Sequence, residues 1–331
     1  MALLEISNLK VHFRTPNGTV QAVNGVDFSI DRGEIMALVG ESGSGKSITG
    51  LSILGLIPKP NGKIVDGRMM FNGASLLEKT EKEYREIRGK EIAMIFQNPL
   101  TAMDPSFTVG NQMLEIIKYR QGLSKKEGWL EAKKLLELVG IHDHERVLHS
   151  YPHALSGGMR QRAMIAMALS CKPKLLIADE PTTALDATIQ MQILSLLKRI
   201  NQELGTSILF ITHDFGVVAN LCDKVAVMYA GRILEYGETY EILTKPNHPY
   251  TKGLMNAMPE TSIETLVDGN GKKRLKQIDG SPPDLLNLPV GCSFFDRCNR
   301  SLDKCQAAFP DITTKSNGHL VRCFNEEEVY V

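Results

Sequence analysis

The spacing of hydrophobic residues changes several times along the chain. Between Leu4 and Val11, and again between Gly25 and Ile30, apolar and polar residues alternate as in half-buried strands. Pro16-Asn17-Gly18 supplies turn chemistry between them. Glu34–Val39 is a short apolar run ahead of a glycine-rich segment, which predicts a buried strand. From Pro99 to about Tyr151 the pattern turns helical. Ser124 and Glu127 stand at capping-box distance, Ala132, Leu135, Leu136 and Val139 fall on one face, and Gly140 marks a helix end. Leu175–Ala178 and Ile208–Ile211 read as further buried strands, with a helix near Ile189–Leu204 between them. Strands alternating with helices imply a mostly parallel sheet covered by helices. After about Pro259 the texture changes to a polar turn at 268–273, then to a loop-rich tail with Pro282, Pro283 and Pro289.

The chain has 331 residues, a length that suggests two domains. Apolar residues make up 43%, enough for a sizeable core. Lys+Arg and Asp+Glu are both 38, so charge gives no support for a nucleic-acid or acidic-membrane partner. The longest apolar runs, such as Ile35–Val39 and Ala163–Leu169, fall far short of the roughly 18 residues of a membrane span. Met1-Ala2-Leu3-Leu4-Glu5 has no basic region and carries an acid where a secretory signal is apolar, so a cytosolic protein is expected. Of six cysteines, Cys171 and Cys222 read as small buried hydrophobes, and the other four fall in the last 40 residues. In a reducing compartment such a group points to metal rather than disulfides.

Gly40-Glu41-Ser42-Gly43-Ser44-Gly45-Lys46-Ser47 matches G-x-x-x-x-G-K-[ST] between a predicted strand and a helix-compatible stretch. Its glycines let successive N–H groups turn inward as an anion nest, and the following helix adds its dipole. Lys46 can reach the outer phosphates and Ser47 can ligate Mg²⁺. Leu175–Ala178 ends in Asp179 and Glu180, placed to hold Mg²⁺ and to polarise an attacking water. Leu155-Ser156-Gly157-Gly158 has an N-cap serine and two glycines before a helical run, a second anion-binding helix terminus.

Together these residues resemble the ATP-binding-cassette (ABC) ATPases over roughly 1–255. The resemblance takes Gly40–Ser47 as Walker A, with Ile48 following it, and Leu175–Asp179 as Walker B. It assigns Glu180 as catalytic glutamate, Gln97 as the Q-loop glutamine, Leu155–Gly158 as the LSGG signature, Ala184-Leu185-Asp186 as the D-loop and His213 as the switch histidine. Met159 stands where the signature often has glutamine. Phe13 is the candidate for stacking on adenine, with a core or turn role as the alternative. The implied fold is α/β, a P-loop NTPase (RecA-like) core with a β-rich N-terminal subdomain and a helical subdomain at about 99–166. The implied site is composite: two cassettes face head to tail, with ATP on Walker A of one and under Ser156, Gly157 and Gly158 of the other.

The tail, Gly280–Cys298, and Asn247-His248-Pro249-Tyr250-Thr251 resemble the C-terminal extension of dipeptide and oligopeptide importer ATPases of the "D" type. The implied division is 1–258 for the cassette and 259–331 for the extension. Such a subunit implies a related second ATPase or a second copy, two membrane permeases and an external peptide-binding protein, and a place at the cytoplasmic membrane face. In related cassettes a permease helix docks near 98–120, here including Met103, Phe107 and Met113, residues that equally suit the subdomain core. Cys292, Cys298, Cys305 and Cys323 suit Zn²⁺ or an iron–sulfur cluster, though neither close zinc-type pairs nor ferredoxin spacings occur. The resemblance points to [4Fe–4S], with a structural or a redox-sensing role open, and free or redox-active thiols are the remaining alternative. His142, His144, His149 and His153 lack matching partners for a metal site. The alternatives are an importer ATPase for nickel or another small solute, a soluble ABC ATPase, and a non-catalytic redox module. The first would need different cargo-binding chains. A repair-type ATPase would need a long heptad run, and a translation-type one a second phosphate loop, both absent.

Overall fold

The computed structural model describes residues 2–183, 185–257, 265–267, 273–275, 277–315 and 318–325. The chain divides into two compact units. One comprises Ala2–Ile30, Ile35–Leu77 and Ile211–Val331, and the other Asp31–Glu34 and Glu78–Phe210.

In the first unit, strands Ala2–Thr15 and Gly18–Asp31 flank the expected turn at Pro16-Asn17. Gly62–Phe71 pairs antiparallel with the first strand, and Ala74–Ser75 completes a four-stranded sheet. Leu4 and Ile6 are buried, and then Leu9 and Val11, so the buried positions change phase between Ile6 and Leu9. The register slips there, between Ser7 and Lys10, and Asn8 adopts a left-handed φ of 49°. Asparagine tolerates that conformation, and its Nδ2 donates to Asp66 Oδ2 at 2.9 Å.

The wholly buried strand Ile35–Val39 runs parallel to Lys224–Tyr229. Arg232–Glu238 adds antiparallel beside the latter, and Leu320–Val321 and Thr313–Thr314 extend the same sheet. The end of the chain, loop-rich by sequence, is therefore partly strand. Pairs only two residues long lie below what alternation reveals. The polar turn expected at 268–273 lies outside the described residues except for Lys273, which begins the strand Lys273–Leu275 paired with Thr265–Val267.

In the second unit, Ile92–Ile95 and Leu175–Asp179 pair in parallel. Helices Val109–Gln121, Lys125–Leu138 and His144–His149 lie in the stretch read as helical, and Gly157–Leu169 is the helical run expected after Ser156. The Ser124–Glu127 capping box is present, with Ser124 N donating to Glu127 Oε2 at 3.0 Å. Hydrogen bonds from Ser124 hold the Glu127 carboxyl below the usual range. Helix Ala187–Leu204 starts two residues before the periodic run because Asp186 caps it, and ends at Gly205 with φ 66°. Its buried face, Ile193, Leu194, Leu197 and Ile200, contributes roughly 1.5–3 kcal/mol per side chain. Among the described residues no helix is long and apolar enough to cross a membrane.

Candidate functional site

The phosphate loop joins the strand Ile35–Val39 to the helix Lys46–Ile53. Packing dictates its glycines. A Cβ on Gly40 would lie 2.1 Å from the Met228 carbonyl oxygen, and one on Gly45 2.3 Å from that of Ala22. Gly45 is also left-handed, with φ 105°, and as N-cap it offers no side chain to the first helical N–H groups. An anion can take that capping position. Lys46 is 5% exposed, and its Nζ donates to Gly40 O at 2.7 Å and Glu41 O at 2.9 Å. Its charge is thereby held against the loop it serves. Ser42, Gly43 and Ser47 are exposed and Ile48 half-buried. Ser44 is buried, and its Oγ has no hydrogen-bond partner among the described residues. A buried hydroxyl without a partner is costly unless a ligand completes it.

The carboxylates of Asp179 and Glu180 lie in the other unit. Asp179 ends the buried strand Leu175–Asp179. Glu180 follows with φ 45°, a left-handed conformation costing a non-glycine residue about 1–3 kcal/mol. Gln97 Nε2 donates to Glu180 Oε2 at 2.8 Å, and Thr183 Oγ1 donates to the same oxygen at 3.0 Å. The structure thus brings together Gln97 and Glu180 from motifs far apart in sequence. Thr183 carries no motif signal; only its spacing of three from a strained carboxylate hints at its part.

Ser156 caps the helix Gly157–Leu169, its Oγ accepting from Met159 N at 3.3 Å. A hydroxyl that accepts there still has its own proton to donate. Ser156 and Gly157 are exposed, and a Cβ on Gly158 would press to 3.0 Å from Ile189 Cγ2. Asp186 accepts from Ile189 N at 2.9 Å as a helix cap. Ala184 lies outside the described residues. His213 is exposed after the strand Ser207–Thr212, and Asp214 caps the helix behind it through Gly216 N and Val217 N. Phe13 is half-buried opposite Gly62, where a Cβ would come within 2.6 Å of its ring. Met103 and Met113 are buried, whereas Phe107 is 53% exposed.

Cys292, Cys298, Cys305 and Cys323 line one small cavity with Phe294, Phe295, Pro310 and Phe324. None is in a disulfide. Burial first, then the three neighbouring thiols, pushes Cys292 up to about 11. Among the described residues no group of three or more His, Cys, Asp or Glu is arranged to hold a metal ion. His142 and His144 instead hydrogen-bond to Glu137. Cys222 is buried, and its thiol is pushed well up by desolvation; Cys171 is half-buried.

The ABC transporter family matches residues 23–183, and the family described as "Oligopeptide/dipeptide transporter, C-terminal region" matches 234–305. The oligopeptide transport ATP-binding protein AppD of Bacillus subtilis is 50% identical over 98% of this chain and 97% of its own. The dipeptide transport ATP-binding protein DppD of the same organism is 49% identical over 98% and 95%. The oligopeptide transport ATP-binding protein OppD of Escherichia coli is 46% identical over 99% and 94%. Among solved structures, a dimeric post-hydrolysis state of the ATP-binding cassette MJ0796 with ADP and Pi aligns with TM-score 0.65 and 26% identity. It covers 71% of this chain and 98% of its own. Matched from end to end at this identity, the chain belongs to the ABC transporter family, among the ATP-binding subunits that carry the oligopeptide/dipeptide transporter C-terminal region.

Proposed function

We propose that the chain is the ATP-hydrolysing subunit that powers uptake of dipeptides or oligopeptides through a membrane ABC importer. The observation that carries this is the identity of 46–50% to peptide-transport ATP-binding proteins along the whole chain, extension included. Residues 1–258 act as the cassette, with 99–166 as its helical subdomain, and 259–331 as the extension. The subunit sits at the cytoplasmic membrane face, below two permeases fed by an external peptide-binding protein. Exposed Leu100 and Phe107 belong to the surface offered to a permease.

Two cassettes, this chain with a paralogue or with a second copy, close head to tail on ATP. The N–H groups of residues 40 and 42–48 and the Lys46 ammonium hold the β- and γ-phosphates. Ser47, Asp179 and Gln97 are the ligands for the Mg²⁺ that accompanies the nucleotide. Phe13 stacks on adenine. Ser156, Gly157 and Gly158 of the opposing cassette cap the γ-phosphate, with Asp186 beside them. Glu180 takes the proton of the attacking water, and His213 steadies the γ-phosphate; ATP and water become ADP and phosphate. The bond from Gln97 to Glu180 orients the base. Lys46→Ala should abolish both ATP turnover and peptide uptake into vesicles that carry the permeases. Peptide uptake persisting without turnover, or uptake of nickel in place of peptide, would overturn the reading.

Cys292, Cys298, Cys305 and Cys323 are the ligands for a [4Fe–4S] cluster, with Zn²⁺ as the alternative. Four thiols around one aromatic-walled cavity support this. A cluster spreads its ligands more widely than a single ion, so the lack of a mononuclear arrangement leaves the donor set suitable. When bound, the cluster staples an extension that has few large apolar residues. Iron, sulfide and zinc analysis of anaerobically purified protein, with its visible absorption, decides between the two.

A further inference from the structure

A glutamate in a loop that holds a polyphosphate needs a physical reason. Glu41 places a carboxylate one residue into the phosphate loop, where its charge opposes that of the nucleotide. The structure supplies the compensation from 256 positions away. Arg297 Nη1 donates to Glu41 Oε2 at 2.7 Å and Nη2 to Oε1 at 3.0 Å, a two-pronged fork. Arg297 is itself locked in place: Nε donates to Asp279 O at 2.9 Å and Nη1 to Tyr229 Oη at 3.2 Å. The two side chains are only 6% and 25% exposed, so solvent screens the pair weakly.

Glu41 is held at its backbone as well. Its N–H donates to Tyr250 Oη at 2.9 Å, and its carbonyl accepts from Lys46 Nζ at 2.9 Å and Ser44 N at 3.2 Å. Both acceptor contacts come from phosphate-loop residues. Arg297 in turn closes the short turn Phe295–Arg297, whose ends are fixed by Phe295 N to Cys292 O at 3.0 Å and Cys298 N to Phe295 O at 3.1 Å. These are main-chain bonds, so the turn itself, together with Arg297 N to Phe294 O at 3.1 Å, sets where the guanidinium stands.

We propose that Arg297 is a positioning residue for the phosphate loop: it neutralises Glu41 and anchors it, and so sets how tightly the loop holds a nucleotide. The proposal rests on the reading of this loop as the ATP site and extends it. With the fork intact, the triphosphate meets a neutral pair. With it broken, the triphosphate meets an unpaired carboxylate on a loosened loop.

The test is MgATP binding by titration calorimetry on the full chain, with kcat and KM beside it. Arg297→Gln should weaken binding about tenfold, the size of one charge-assisted contact, and raise KM more than it lowers kcat. Glu41→Gln should bind as tightly as wild type or a few-fold tighter. The double variant should return to within about threefold of wild type, because the opposing charge has gone. Arg297→Lys, which keeps the charge and loses the fork, serves if Arg297→Gln fails to fold, and should fall between the two. Wild-type affinity in Arg297→Gln, a double variant as weak as that single one, or weaker binding by Glu41→Gln would each overturn the proposal. A wild-type chain that binds no ATP would instead sink the ATPase reading itself.

Discussion

Glu180→Gln separates chemistry from structure because it removes one charge and little else. The carboxylate oxygen that accepts from Gln97 at 2.8 Å and from Thr183 at 3.0 Å becomes an amide oxygen able to accept both. Those bonds weaken from charge-assisted to neutral, and Gln97 and Thr183 are exposed, so the stability loss is under about 1 kcal/mol. The left-handed backbone at φ 45° remains as it was. With Glu180 as the proposed general base, the change costs about 10²–10⁴ in rate or roughly 3–5 kcal/mol of barrier. Turnover should therefore collapse while the unfolding midpoint barely moves, and ATP should trap a dimer. Phosphate release with a coupled dye, alongside light scattering with MgATP, reads both. Turnover within tenfold of wild type would refute the role given to Glu180. A midpoint shift large enough to explain the rate loss would show that the residue is merely structural.

Other perturbations give equally definite outcomes. Gly40→Ala puts a Cβ 2.1 Å from Met228 O, so the loop must shift; MgATP binding by calorimetry should fall at least about tenfold. His248 is buried, desolvation pushes it down to about 4, and its Nδ1 accepts from Tyr250 N at 3.0 Å. Its unfolded value is about 6.5, so below that pH the unfolded chain binds the extra proton. Stability is then full above pH about 6.5 and declines towards pH about 4 in denaturant titrations, a slope that His248→Asn should flatten. In metal-free protein, Cys292 at about 11 should react with iodoacetamide at pH 8 about a hundredfold more slowly than an ordinary thiol, measured by peptide mass analysis. Glu235→Ala leaves His319 Nε2 and the N–H groups of Asn247 and His248 without their acceptor, and should cost about 3–5 kcal/mol in urea unfolding.

What the sequence reveals here is what is contiguous. The phosphate loop, the capping box at Ser124 and the run Leu175–Asp179 each state their chemistry within a few residues, and the structure forms each as the pattern predicts. Asp186 capping its helix belongs to the same local class, although it lies just outside the apolar period. Pairings between distant residues have no such signature. The resemblance gives Gln97 and Glu180 separate roles and implies no bond between them, and Thr183 carries no signal at all. Nothing local tells Met103 and Met113, which are buried, from Phe107, which is exposed. Even the strand pattern hides a slip: alternation breaks between Ile6 and Leu9, and the strand continues because Asn8 accepts a left-handed turn at a bulge.

The extension shows how a segment poor in large apolar residues is fixed in place. Its strand Leu320–Val321 lies along Arg232–Glu238, with Val321 opposite Glu235. The Glu235 carboxylate is fully buried and accepts from His319 Nε2 at 2.7 Å, Asn247 N at 2.6 Å and His248 N at 3.1 Å. One carboxylate thus joins a sheet strand, the Asn247-His248 turn and the end of the chain. A buried charge with three donors is stable only while all three are present. Truncating the chain before His319 therefore does more than shorten it: it strips a donor from a charge that cannot reach water. The same logic holds where Arg297 meets Glu41. In both places the extension is secured by completing polar groups that the rest of its unit leaves incomplete, which makes its loss costly out of proportion to the apolar area it buries.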